Sequence, residues 1–196
     1  MQKHLLLLPV LLFGAACSSI PGFGSEPTET SESAMVSSKM ATDPDPAPPA
    51  SLQIPNFTVL TGKVAGGGFI TAAQVSALPA MGYTTIINLQ APNEPGVQAE
   101  IAAAQAAGLN YISIPVSGNG FTLEDAHAVA LALEQNPGHT LLHCRSGGRV
   151  TAVWALTRAI NEGLEPTEAM FVAANEGCRP IPESMINRVG AELAPR

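Results

Sequence analysis

The sequence predicts an α/β domain with a mostly parallel central sheet and helices on both of its faces. Two observations predict it. Beyond residue 56, short apolar runs rich in β-branched residues alternate with segments whose apolar residues recur at helical spacing, and the connections are short. The run Thr140-Leu141-Leu142 ends in His143-Cys144-Arg145-Ser146-Gly147-Gly148-Arg149, and Val150 to Ile160 continue at helical spacing. A buried strand thus feeds a glycine-containing turn that opens a helix. In a covered parallel sheet such a turn lies at the carboxyl end of a strand, where ligand loops gather.

Taken in order, Met1 to Cys17 carry Lys3 and His4, then Leu5 to Phe13, then Gly14-Ala15-Ala16. A charged tip, an apolar run too short to span a membrane and a small-residue exit read as an export signal. Cys17 after Gly-Ala-Ala resembles a bacterial lipoprotein cleavage site, at which the cysteine is acylated and anchors the chain to a membrane. Gly14 stands where such sites usually carry leucine, and ordinary cleavage near Ala16 into the periplasm is the alternative. Ser18 suits an outer-membrane destination. From Ser18 to Pro55 the chain is Ser-, Thr-, Glu- and Pro-rich with few large apolar residues. It cannot bury enough surface to offset chain entropy and predicts a disordered tether. Residues 56–196 remain for one domain with a proper core.

Within that domain Phe57 to Val64 predicts a first strand, and Gly66-Gly67-Gly68 a turn that could border a pocket. Thr71 caps a helix over Ala72 to Met81, and Gly82 stops it. Tyr83 to Leu89 is a buried strand, and the loop after it carries Glu94. Val97 to Ala107 is an alanine-rich helix ended by Gly108, followed by a strand over Tyr111 to Val116. After Ser117-Gly118-Asn119-Gly120, Thr122-Leu123-Glu124-Asp125 resembles a capping box for a helix through Gln135. The strand into His143 and the helix behind Arg149 come next. Pro166 to Glu176 and Pro182 to Leu193 are two packing helices, with Cys178 between them.

The formal net charge is -7, with acids in both tether and domain, so no basic face invites nucleic acid. Anion binding must be local to the Cys144 loop. There, a helix start points backbone N–H groups and the positive end of the helix dipole at one spot. The field that holds an anion also favours a thiolate at Cys144, and the planar fork of Arg149 can pair with two oxygens. The simplest chemistry is thiolate attack on an anionic phosphorus or sulfur centre, with a covalent intermediate on Cys144.

These residues resemble the beta-lactamase-hydrolase-like, phosphatase-like family, a bacterial branch of the cysteine phosphatases also labelled as sulfur transferases. The resemblance runs from about Val59 to Glu176, through Ile86-Ile87-Asn88-Leu89, Ile114-Pro115-Val116-Ser117 and His143-Cys144-Arg145-Ser146-Gly147 with Arg149. It implies a tyrosine- and dual-specificity-phosphatase-like fold, Cys144 as nucleophile, and an anion cradle of Arg145, Ser146, Gly147, Gly148 and Arg149. His143 would tune the thiolate. No cofactor is implied.

Departures from that phosphatase pattern are informative. Four residues rather than five separate Cys144 from Arg149, closer to the rhodanese pattern, in which a persulfide forms on the cysteine. Val150 replaces the Ser or Thr that follows the arginine, with Thr151 one step on. The loop Ser117-Gly118-Asn119-Gly120 lacks the Asp that serves as general acid. Glu94 is the replacement expected here, ahead of Asp125 and Glu124. His127 and His139 share no metal-ligand spacing with the cysteines, so no metal site is expected. Cys178 is a candidate disulfide or resolving partner for Cys144, with a buried free thiol as the plain reading.

Three functions follow in order: an exported phosphomonoester hydrolase acting on a small anionic substrate or a phosphorylated protein; a sulfur transferase; and a catalytically weak anion-binding envelope module.

Overall fold

Strands β1 (Thr58–Val59), β2 (Val64–Gly67), β3 (Tyr83–Asn88), β4 (Asn110–Ser113) and β5 (His139–His143) form one sheet in the order β1-β2-β5-β3-β4. The computed structural model describes residues 53–118 and 120–195. The export signal, Cys17 and the tether as far as residue 52 lie outside the described residues. Ile54 is already buried and Pro55 accepts the Gly68 N–H through its carbonyl, so packing begins just before residue 56.

β1 runs antiparallel to β2, and the other three pairings are parallel. Alternation along the strands sends successive side chains to opposite faces. Ala65, Ile86 and Leu141 pack with Val75 and Ala104, from helices α1 (Ala72–Ala77) and α2 (Val97–Ala106). Val64, Ile87 and Leu142 face the other way. They pack with α3 (Leu123–Gln135), α4 (Gly148–Glu162), α5 (Pro166–Asn175) and α6 (Glu183–Leu193), through residues such as Val129, Val153, Val172 and Val189. Both faces are covered, which is why the central strands read as continuous apolar runs.

The strand expected over Tyr111 to Val116 ends at Ser113, and three further segments differ from expectation. The run from Phe57 to Val64 is not one strand. The N–H groups of Leu60 and Thr61 both donate to the carbonyl of Val64, folding a tight turn between β1 and β2. The helix predicted as far as Met81 stops at Ala77, and Pro79–Met81 form a short 3-10 turn. Proline has no N–H with which to continue the α ladder. Gly82 leaves this turn with a φ of +84°.

The third difference positions the site. Gly66 and Gly67 lie inside β2, and Gly68 bridges Ser146 of the cysteine loop, so the triplet is a strand end and not a turn. A Cβ on Gly66 would collide with the sulfur of Cys178, one on Gly67 would lie 2.7 Å from Cγ2 of Ile54, and one on Gly68 3.0 Å from the carbonyl of Pro55. Glycine is required here for close approach of neighbouring chain.

Candidate active site

Cys144 follows β5 directly and is 1% exposed. Its amide donates to the carbonyl of Gly67, and the amide of Phe69 donates to that of Arg145, so the loop is held against the end of β2. The side-chain amide of Asn56 donates to the Ser146 carbonyl at 2.9 Å. Gly147, the N-cap of α4, has a φ of +84° and donates its N–H to Sγ of Cys144 at 3.2 Å. A side chain there would be strained by that φ, and its Cβ would sit 3.0 Å from Cβ of Cys178. The N–H groups of Ser146, Gly148 and Arg149 have no acceptor among the described residues, as the first turn of a helix demands. Sulfur and free amides are gathered at the positive end of one fifteen-residue helix.

Arg149 is fixed from one side. Its Nη1 donates to the carbonyls of Leu89 at 3.0 Å and Val116 at 3.1 Å and to Oε1 of Glu94 at 2.6 Å, while Nη2 donates to Oε2 of Glu94 at 2.8 Å. Nε donates to no oxygen among the described residues, and the sulfur of Cys144 lies close enough to the guanidinium to interact with it. The guanidinium therefore offers Nε–H and the second Nη2 hydrogen as one parallel edge, the edge that matches two oxygens of a tetrahedral anion. Its cationic form is favoured first by the bond to Glu94 and then by the charge of Cys144 close by.

Above the loop opens a cavity of about 460 Å³, lined by Glu94, Arg145, Ser146, Gly148 and Arg149 on one side and by Arg179, Ile181 and Met185 on the other. Its size suits a small molecule or one modified side chain.

Residues 56–161 match the family described as beta-lactamase hydrolase-like protein, phosphatase-like domain, more than half of the chain. The chain belongs to that family. A beta-lactamase hydrolase-like protein of Xylella fastidiosa is 41% identical over 91 residues, covering 44% of this chain and 21% of that protein. The chain thus spans about a fifth of the length of the curated relatives it matches. Among solved structures, P. aeruginosa TpbA in complex with phosphotyrosine superposes with a TM-score of 0.57 at 16% identity, over 78% of this chain and 90% of that one. The core catalytic domain of a PP-IP phosphatase from S. cerevisiae, in complex with citrate, gives 0.53 at 20% identity, over 71% and 86%. The fold is that of the tyrosine- and dual-specificity-phosphatase-like α/β proteins, as the sequence predicts.

In this phosphatase-like domain the loop residues of the sequence reading come together, and the expected acid is bonded to the expected arginine. Glu94 is an ion-pair partner. The bonds from Arg149, above all, hold its carboxyl far below its ordinary value of 4.5, at about 2, so it has no proton to donate at neutral pH. Asp125 is consumed by its capping box, accepting from the amide and hydroxyl of Thr122. Glu124 lines a separate hollow with His127 and Glu192. Because folding depresses the Glu94 value, the stability it supplies is fully present above about pH 4.5 and is lost as the pH falls towards 2. Denaturation midpoints measured from pH 5 down to 2.5 should fall more steeply for the wild type than for Glu94→Gln; parallel curves would remove the assignment.

His143 lies behind the loop, directly before Cys144. Its ring is fully buried and turned to Glu100, with Nε2 2.8 Å from Oε1, and makes no hydrogen bond to the sulfur. Thr151 takes no part in the cradle. Its hydroxyl donates to the carbonyl of Gly147 and accepts from the amide of Arg179, tying the segment before α6 to the loop. Cys144 and Cys178 are both free thiols. Burial first, and the charge of Cys144 second, push the Cys178 thiol up to about 12. His139 packs edge-on against Tyr83.

Sequence reasoning missed Arg179, Ile181 and Met185 on the far wall, and Glu100 with Asn88 and Tyr111 beneath the sheet. For the second group a signal existed. Asn88 interrupts an apolar strand and Glu100 is the one charge in an alanine-rich helix, so each buried polar residue asked for a partner.

Proposed function

We propose that the domain is a cysteine-dependent phosphatase-like hydrolase acting on phosphomonoesters through a thiol–phosphate intermediate on Cys144. The observation that carries this reading is the free Nε/Nη2 edge of Arg149 beside a sulfur that already accepts the Gly147 N–H. An incoming phosphoryl group would take that edge and the unpaired amides of Ser146 and Gly148. The thiolate attacks phosphorus, the bond to the leaving oxygen breaks, and water then cleaves the S–P bond to return phosphate and free thiolate. With Glu94 ionised, the cavity supplies no carboxylic acid to protonate the leaving oxygen, so leaving groups that depart as stable anions are favoured.

The test is phosphate release from an aryl phosphate compared with an alkyl phosphate, with acid-quenched enzyme examined by mass spectrometry for a phosphoryl group on Cys144. The aryl ester should turn over faster by on the order of 10²-fold, the effect of a missing general acid. No phosphate released from either ester would sink the proposal.

The missing acid and the four-residue gap favour a second reading, a sulfur transferase with a persulfide on Cys144. One added sulfur on Cys144 after thiosulfate exposure is its signature. We further propose, from residues 1–17 alone, that the enzyme is exported and held at the cell envelope by an acylated Cys17. Labelled fatty acid recovered on Cys17, or its absence, decides that point.

A further inference from the structure

The domain is acidic, yet cations crowd the mouth of the site. Its described Lys and Arg residues are Lys63, Arg145, Arg149, Arg158, Arg179 and Arg188, and three of these line one cavity. Arg149 is matched by Glu94, Arg158 by Glu162 and Glu176, and Arg188 by Glu192. Arg145 and Arg179 have no carboxylate partner among the described residues, and both are exposed. The one bond from the Arg179 guanidinium, Nε to the Pro180 carbonyl at 3.3 Å, leaves its outer nitrogens free.

Arg179 is not loosely placed. Its amide is bonded to Thr151 of α4, and its stem lies over the cradle, with Cγ 3.7 Å from where a Cβ on Gly147 would be and Cδ 4.0 Å from one on Gly148. Arg145 projects from the same loop. Ile181 and Met185 complete the wall beside them with apolar surface. Both cations line the same cavity, and no described carboxylate joins them.

We infer that Arg145 and Arg179 form a second anion subsite, and that the substrate is a phosphoester bearing a second phosphate or carboxylate, its carbon frame against Ile181 and Met185. This rests on the phosphate reading of the Cys144 loop. Arg149 and the loop amides hold the group that reacts, and the rim pair selects what is attached to it. An ester with a single anionic group leaves the rim pair unmatched, so selection operates between substrates that share the reacting phosphate.

The test is calorimetric binding to the intact protein, which needs no turnover. Methyl-, ethyl- and propylphosphonate are compared with methylene-, ethylene- and propylenediphosphonate. At least one diphosphonate should bind about 10-fold more tightly than the monophosphonate of equal length, the worth of one added charge-assisted pair. Arg179→Ala should erase that gain and leave monophosphonate affinity within about twofold, and Arg145→Ala should likewise erase it. Both side chains are exposed, so neither variant threatens folding. Equal binding of the two series, or a gain that survives both substitutions, overturns the subsite while leaving the phosphate reading intact. No binding of any monophosphonate overturns both.

Discussion

Replacing Arg149 by lysine is expected to lower kcat/KM for an aryl phosphate by about 10³-fold or more, the scale set by arginines that stabilise a transferring phosphoryl group. The reason is geometric. The native guanidinium makes contacts to Leu89, Val116 and Glu94 with Nη1 and Nη2 and still presents a free edge to the anion. An ammonium has three hydrogens at one point; satisfying the two carbonyls and the carboxylate uses all of them. The lysine would be held by the protein and lost to the substrate. Glu94→Gln makes the contrast. Arg149 keeps the Leu89 and Val116 carbonyls, so its edge stays near its place and the loss should be about 10-fold, the worth of one charge-assisted bond. Steady-state kinetics of the two variants check this, alongside urea midpoints to confirm folding. If the lysine form retains activity within tenfold of the wild type, the anion is not held by this side chain.

What the sequence revealed of this site follows the range of the interactions involved. Cys144, Gly147 and Arg149 lie in one strand–turn–helix junction, and local turn chemistry with helix periodicity places all three. The clamp on Arg149 was out of reach, because Leu89, Glu94 and Val116 meet it only through the side-by-side placement of β3 and β5 and the loop beyond β4. The loop that carries Glu94 places it near the site, but nothing in the sequence says that a bidentate arginine awaits it. The glycine triplet misled for a similar reason. Glycine runs signal turns, and here they mark where Ile54, Pro55 and Cys178 approach a strand from elsewhere in the chain. Arg179 is thirty residues from Arg149 and joins the cavity only because α6 packs back onto α4, a contact that no local pattern encodes.

The buried pair under the loop yields the largest stability effect. Glu100 comes from α2 on one face of the sheet, and its side chain is as fully buried as that of His143 at the end of β5. Oε1 lies 2.8 Å from Nε2 of His143 and accepts from Nδ2 of Asn88 at 3.2 Å, and the same Nδ2 donates to the hydroxyl of Tyr111 at 2.7 Å. Burial, with Glu100 close by, pushes the Tyr111 hydroxyl well above its ordinary range, so it stays protonated. Glu100→Leu fills similar space but strands the His143 ring in a dry site and takes an acceptor from Asn88. The expected cost is about 1–3 kcal/mol, the desolvation penalty of a buried polar group left without its partner. Adding His143→Leu removes the stranded group, so the double variant should be less destabilised than the sum of the singles. This separates the pair from a general defect of packing, which would add. Urea unfolding of the two singles and the double closes the cycle. Additivity within about 0.5 kcal/mol would mean the two side chains are neighbours without being partners. Coupling would tie α2 to the end of β5 and so to the first residue of the cysteine loop.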